Sequence, residues 1–128
     1  MVGNARFTPE NDPCGSGAAG QVTYGWLRKT DGSILFFQIN GQYTGARGIN
    51  DAGFIVGQTE DPATFVRKGF VVKKPKTSCE SISVPASELL QFPGSLYTYP
   101  EGVTNSGTVV GVFFDDLNNT HGFIATED

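Results

Sequence analysis

GINDAGFIVG at 48–57 is written a second time as GVTNSGTVVG at 102–111. Gly48, Gly53 and Gly57 return as Gly102, Gly107 and Gly111, each 54 residues later, and Met1, Val2 and Gly3 echo the end of the same stretch, because Gly3 precedes Gly57 by that interval. In both full versions a polar group ending in Gly feeds an apolar run, the pattern of a tight turn entering a β-strand. The chain is therefore expected to be one repeat domain: a partial copy over 1–42, a full copy over 43–96 and a partial copy over 97–128.

Composition points the same way. Seventeen Gly and seven Pro, with 12% aromatic and 17% charged residues, favour short strands joined by turns over helices, so the expected class is all-β. A net charge of −4 argues against nucleic acid as a partner, because phosphate binding needs a basic footprint. No apolar run is long enough to span a membrane. The N-terminus lacks a signal-peptide pattern, so either a signal has been removed or the chain is intracellular.

With the repeat as a ruler, four strands are expected per copy. Residues 1–7 are a second strand, 11–20 a long loop, 21–28 a third strand and 33–39 a fourth, with Asp31 and Gly32 in the turn between. The next copy opens with a first strand over 43–49, and its third strand covers 65–72. Its fourth strand falls within 81–92, where Pro85 interrupts the pattern and 86–91 has room for one helical turn. The last copy places its third strand at 120–125 and has no fourth. Ten strands result, and short junctions predict sequential antiparallel pairing. Gly53 and Gly107 should close type I turns with positive φ, whereas Gly57 and Gly111, inside apolar strands, mark bulges or the close approach of a neighbouring sheet.

These elements, with Gly-Ile-Asn, an acidic or amide residue, Gly, Ile-Val-Gly and then a Gly-Phe pair about a dozen residues on, resemble the bacterial HAF repeat. Its signature reads here as His121-Gly122-Phe123, Lys68-Gly69-Phe70 and Tyr24-Gly25-Trp26. The resemblance implies an extracellular or periplasmic repeat protein with no agreed activity; the cytoplasm stays open as a location. Four antiparallel strands per copy also look like a propeller blade, but the chain holds too few copies for an ordinary ring. The expected architecture is propeller-like, or a related closed two-sheet or barrel packing.

Up-and-down order sends the loops between second and third strands to one end and those between third and fourth to the other. The first end collects Glu10, Asp12, Glu60, Asp61, Asp115 and Asp116; the second collects Arg28, Lys29, Lys73, Lys74 and Lys76. Asp61, Asp115, Asp116 and Asn118 are candidate oxygen ligands for Ca²⁺ or sugar hydroxyls, against the plainer reading of solvated turns. Trp26 and the other aromatic residues could form a sugar platform, although repeated positions favour core packing. In each of the pairs Phe36–Phe37 and Phe113–Phe114 the two rings must face opposite ways. His121, the one histidine, is a candidate ligand-binding residue, and its position in the repeated motif favours a structural hydrogen bond over catalysis.

Cys14 and Cys79 fall at opposite ends of this scheme, about 17–20 Å apart, so they are expected to be free thiols unless the 11–20 loop folds back. The functional expectation is a non-catalytic recognition module, with carbohydrate or protein as ligand and no dedicated metal site. The alternatives are a structural, self-associating repeat protein and a hydrolase. Unfinished sheets at the two ends predict a homo-oligomer, most simply a dimer.

Overall fold

The computed structural model describes residues 1–126; the last two residues of the third copy lie outside them. The fold is all-β with two mixed sheets and ten strands among the described residues. The strands are β1 (Val2–Phe7), β2 (Val22–Arg28), β3 (Ile34–Ile39), β4 (Tyr43–Ile49), β5 (Phe54–Glu60), β6 (Arg67–Lys73), β7 (Glu80–Ile82), β8 (Tyr97–Val103), β9 (Val109–Phe114) and β10 (Thr120–Ala125). One sheet runs β1-β2-β3-β7 and the other β10-β9-β8-β6-β5-β4. One turn of 3-10 helix at Ala86–Glu88 occupies the place where the sequence has room for a helical turn.

Sequential pairing holds inside three meanders, β1-β2-β3, β4-β5-β6 and β8-β9-β10, and fails between them. β3 pairs in parallel with β7, and β6 meets β8 in parallel through Arg67 and Tyr97. The fourth strand of the middle copy therefore does not lie beside its third. Asn40 explains part of this: its side-chain amide donates to the Val84 carbonyl and its carbonyl oxygen accepts from the Val84 N–H, holding the stretch after β7 beside the end of β3. The outer edge of β6 is instead met by Leu90, which exchanges both backbone hydrogen bonds with Gly69, and by Leu96, whose carbonyl accepts from the Arg67 N–H.

The middle and C-terminal meanders share one register. Ala46 faces Gly57, and a bulge follows before Gly48 meets Val56; Pro100 faces Gly111, and the same bulge precedes the pairing of Gly102 with Val110. Gly53 and Gly107 have φ of 84° and 92°, and each N–H returns to the carbonyl three residues earlier, as the turn reading requires. Gly57 and Gly111 therefore stand at bulges, the first of the two expected alternatives, and not under another sheet. The crowding comes from within: a Cβ on Gly57 would strike the Gly45 carbonyl and lie 2.9 Å from the Phe70 ring, and one on Gly111 would strike the Tyr99 carbonyl and lie 2.8 Å from the Phe123 ring. Gly3 repeats the arrangement under Trp26.

Each meander thus has an aromatic face, carrying Trp26, Phe70 or Phe123, and an opposite face carrying Gly25, Gly69 or Gly122. The core consists of the aromatic face of one meander packed on the glycine face of the previous one. Phe70, Ile55 and Val72 pack with Leu27, Phe37 and Ile39, while Phe123 and Val109 pack with Val56. Of the two Phe-Phe pairs, Phe37 is fully buried in the first cluster and Phe113 packs at the second, while Phe36 and Phe114 look the other way.

The cysteines correct the sequence expectation: Cys14 and Cys79 form a disulfide with Cα atoms 5.5 Å apart. The 8–21 loop folds back across the aromatic face of the first meander. Asp12 fixes that path by accepting from the N–H groups of Cys14 and Ser16, the Ser16 hydroxyl and the Tyr24 hydroxyl, and the Cys79 N–H donates to the Phe36 carbonyl.

Candidate functional site

A row of side chains crosses the six-stranded sheet from edge to edge. Tyr43 stands opposite Glu60, Glu60 opposite Arg67, Arg67 opposite Tyr97, Tyr97 opposite Phe114 and Phe114 opposite Thr120. Directly opposed residues point to one face, so this row is a continuous strip contributed by all six strands. Arg67 is its centre. Its guanidinium lies 4.8 Å from the Tyr43 ring centroid and 5.7 and 5.9 Å from those of Tyr97 and Tyr99; its Nε donates to Glu60 at 2.9 Å and its Nη1 to the Tyr99 hydroxyl at 3.0 Å. Partial burial opposes its charge, but Glu60 and Tyr99 more than offset this and hold the guanidinium firmly protonated. Arg47 extends the strip, with its guanidinium 5.2 Å from the Tyr99 centroid and bonds to Gln58 and Glu101.

Beside Tyr43 and Glu60 an open groove of about 360 Å³ is lined by Gln21, Thr23, Gln38 and Gln42. Amide groups offer both donors and acceptors, a carboxylate accepts, and a tyrosine ring supplies a flat apolar wall. At the opposite strand ends Lys29, Lys73, Lys74 and Lys76 line a second groove over Leu27 and Leu35. Four of the five basic residues assigned to one end are thereby brought together.

The residues singled out from sequence are placed differently. Asp61 and Asp115 close equivalent hairpins: Asp61 Oδ1 accepts from the Ala63 N–H, and Asp115 Oδ1 from the N–H groups of Leu117 and Asn119. The other Asp115 oxygen pairs with His121 Nε2 at 2.8 Å, and this bond, followed by the Asn119 N–H, holds the Asp115 carboxyl below the usual carboxylate range. His121 also stacks on Phe113, and no hydroxyl or thiol is bonded to it among the described residues. Asn118 takes φ of 65° in the same turn, two residues after Asp116. Trp26 covers Gly3 on the first meander, away from the strip. No group of three or more His, Cys, Asp or Glu side chains converges as a metal site among the described residues.

Arg67, Arg47 and Thr120 are members of the strip that the sequence reading does not single out, and Tyr43, Tyr97 and Tyr99 belong to the aromatic residues whose repeated positions favour core packing. The available signal was the 54-residue recurrence of Tyr43-Thr44 as Tyr97-Thr98, in which Thr44 and Thr98 are fully buried and their neighbours must face outward. No family model matches this chain, and no curated protein or solved structure matches it either.

Proposed function

We propose that this chain is a non-catalytic carbohydrate-recognition module whose ligand lies along the Tyr43–Glu60–Arg67 end of the strip and in the adjoining amide-lined groove. The observation that carries this reading is the groove itself, where Gln21, Gln38, Gln42 and Glu60 surround an open volume beside an aromatic wall. Sugar hydroxyls pair with amides and carboxylates, and a sugar's C–H face packs on tyrosine. Glu60 and Arg67 are already bonded to each other, so the wall is ordered before a ligand arrives, which lowers the cost of binding.

The shared register of the meanders supports a propeller-like repeat array of the HAF type, and the disulfide supports an extracellular or periplasmic location. A calcium-assisted form would draw on Asp61, Asp115, Asp116 and Asn118. A glycan array run with and without Ca²⁺ tests both forms. Binding that is lost in Tyr43→Ala and Gln42→Ala is expected; an array without any glycan signal sinks the carbohydrate reading.

The second reading is a structural module that associates with copies of itself. It is favoured by one observation: β10 ends the six-stranded sheet with nothing paired to its outer side among the described residues. Light scattering over a concentration series tests it, and a monomer throughout would remove it.

A further inference from the structure

The glycine that precedes the third-strand aromatic residue is covered in two meanders and bare in the third. A Cβ on Gly25 would lie 2.8 Å from the ring of Phe37, its direct partner on β3. One on Gly69 would lie 3.2 Å from the Cβ of Leu90, its partner across an isolated bridge, and 2.5 Å from the Pro100 ring. One on Gly122 would have only the Gly111 carbonyl, at 3.9 Å. In both filled cases a strand-like neighbour puts a large apolar side chain opposite the glycine.

The backbone tells the same story. Gly69 directs its N–H and C=O away from β5 and exchanges both bonds with Leu90. Gly122 faces Val112 as Gly69 faces Gln58, so the alternation of an antiparallel ladder turns its N–H and C=O outward from β9, along with those of Thr120 and Ile124. Within the described strand two usual protections are missing: Thr120–Ala125 contains no Lys, Pro, Asp or Glu, and its pairing with β9 is free of bulges. Ile124, on the same face as Gly122, is 74% exposed, and Val110 opposite it is 40% exposed, whereas Val56, at the matching position of the middle meander, is fully buried.

We infer that β10 pairs antiparallel with β10 of a second copy of this chain, each Ile124 seated opposite the partner's Gly122. The occupant follows from the register. Outward-facing groups lie at 120, 122 and 124, so a two-fold axis at Phe123 aligns 122 with 124 in both directions and places a branched apolar side chain over each bare glycine. One short strand supplies both the seat and what fills it, as an isologous interface requires. The two six-stranded sheets then become one continuous sheet. This inference deepens the self-association reading and is independent of the carbohydrate groove.

The test is light scattering on the intact protein from 1 to about 300 µM, with melting curves alongside. Wild type is expected to pass from monomer to dimer across the series. Ile124→Lys, at a side chain already in solvent, is expected to shift the midpoint at least tenfold upward without changing the melting curve at low concentration. A second variant, Gly122→Val, occupies the seat from within and should weaken the dimer similarly. A wild-type monomer at every concentration overturns both this inference and the self-association reading. A dimer indifferent to both variants overturns this inference alone.

Discussion

Asp51 and Asn105, equivalent residues 54 positions apart, are hydrogen-bonded to each other: the Asp51 N–H donates to Asn105 Oδ1 at 2.9 Å, and the Asn105 amide donates to Asp51 Oδ2 at 2.8 Å. Asn50 and Thr104, and Arg47 and Glu101, are joined at the same interval. Equivalent points separate in proportion to their distance from the axis relating them, so contacts between equivalents place that axis beside the turns following β4 and β8.

The contact is exposed but doubly bonded. A double-mutant cycle with Asp51→Ala and Asn105→Ala is expected to give a coupling of about 0.5–1.5 kcal/mol. Because Asp51→Ala keeps the Asp51 N–H, the cycle reads the Asn105 amide to Asp51 carboxylate bond, and additive effects in urea unfolding would mean that this bond is not formed in solution.

Three glycines of the C-terminal meander form a graded series. Gly111→Ala drives a methyl into the Tyr99 carbonyl and the Phe123 ring and is expected to cost about 3 kcal/mol or more. Gly107→Ala meets no atom within 4 Å but keeps φ of 92°, so its cost should be about 1 kcal/mol. Gly122→Ala has space and an ordinary φ, and should change little. Urea unfolding of the three variants checks the order, and an equal cost for Gly107→Ala and Gly122→Ala would contradict the turn geometry.

Most strands were legible because turn residues bracket them: Tyr43–Ile49 and Thr120–Ala125 fall where the sequence ruler puts them. Gly53 and Gly107 were legible for the same local reason. What the ruler cannot carry is pairing between meanders, which depends on long-range bonds such as Asn40 to Val84, 44 residues apart. The disulfide was misread because a strand-length estimate assumes a loop that stays at its own end, whereas Asp12 turns the 8–21 loop back over Tyr24. The strip was half legible. Tyr43 and Tyr97 recur by sequence, but Arg67 joins them only through the parallel contact of β6 with β8.

Joining Cys14 to Cys79 closes a sequence separation of 65 residues. The loop-closure entropy removed from the unfolded chain corresponds to about 4 kcal/mol. The Cys14→Ser, Cys79→Ser double variant is expected to lose about 2–4 kcal/mol and to free the 8–21 loop, exposing Tyr24 and Phe36. Guanidinium unfolding measures the first effect and faster amide exchange at Tyr24 the second; an unchanged unfolding midpoint would contradict both.

Asp12 makes the loop's anchorage dependent on acid. The Ser16 hydroxyl, followed by the N–H groups of Cys14 and Ser16 and the Tyr24 hydroxyl, holds its carboxyl far below the ordinary carboxylate value of about 3.9. A depressed pKa means that the unfolded chain takes up the proton first. The stabilisation is therefore complete above about pH 4 and is lost as pH falls from there through the folded-state value. Stability of the wild type should decline between about pH 4 and pH 2, and Asp12→Asn, which is less stable at pH 7, should decline less steeply over that interval. Parallel curves for the two proteins would show that Asp12 does not hold the loop, while a Tyr24 amide that stays protected at pH 3 in the wild type alone would show that it does.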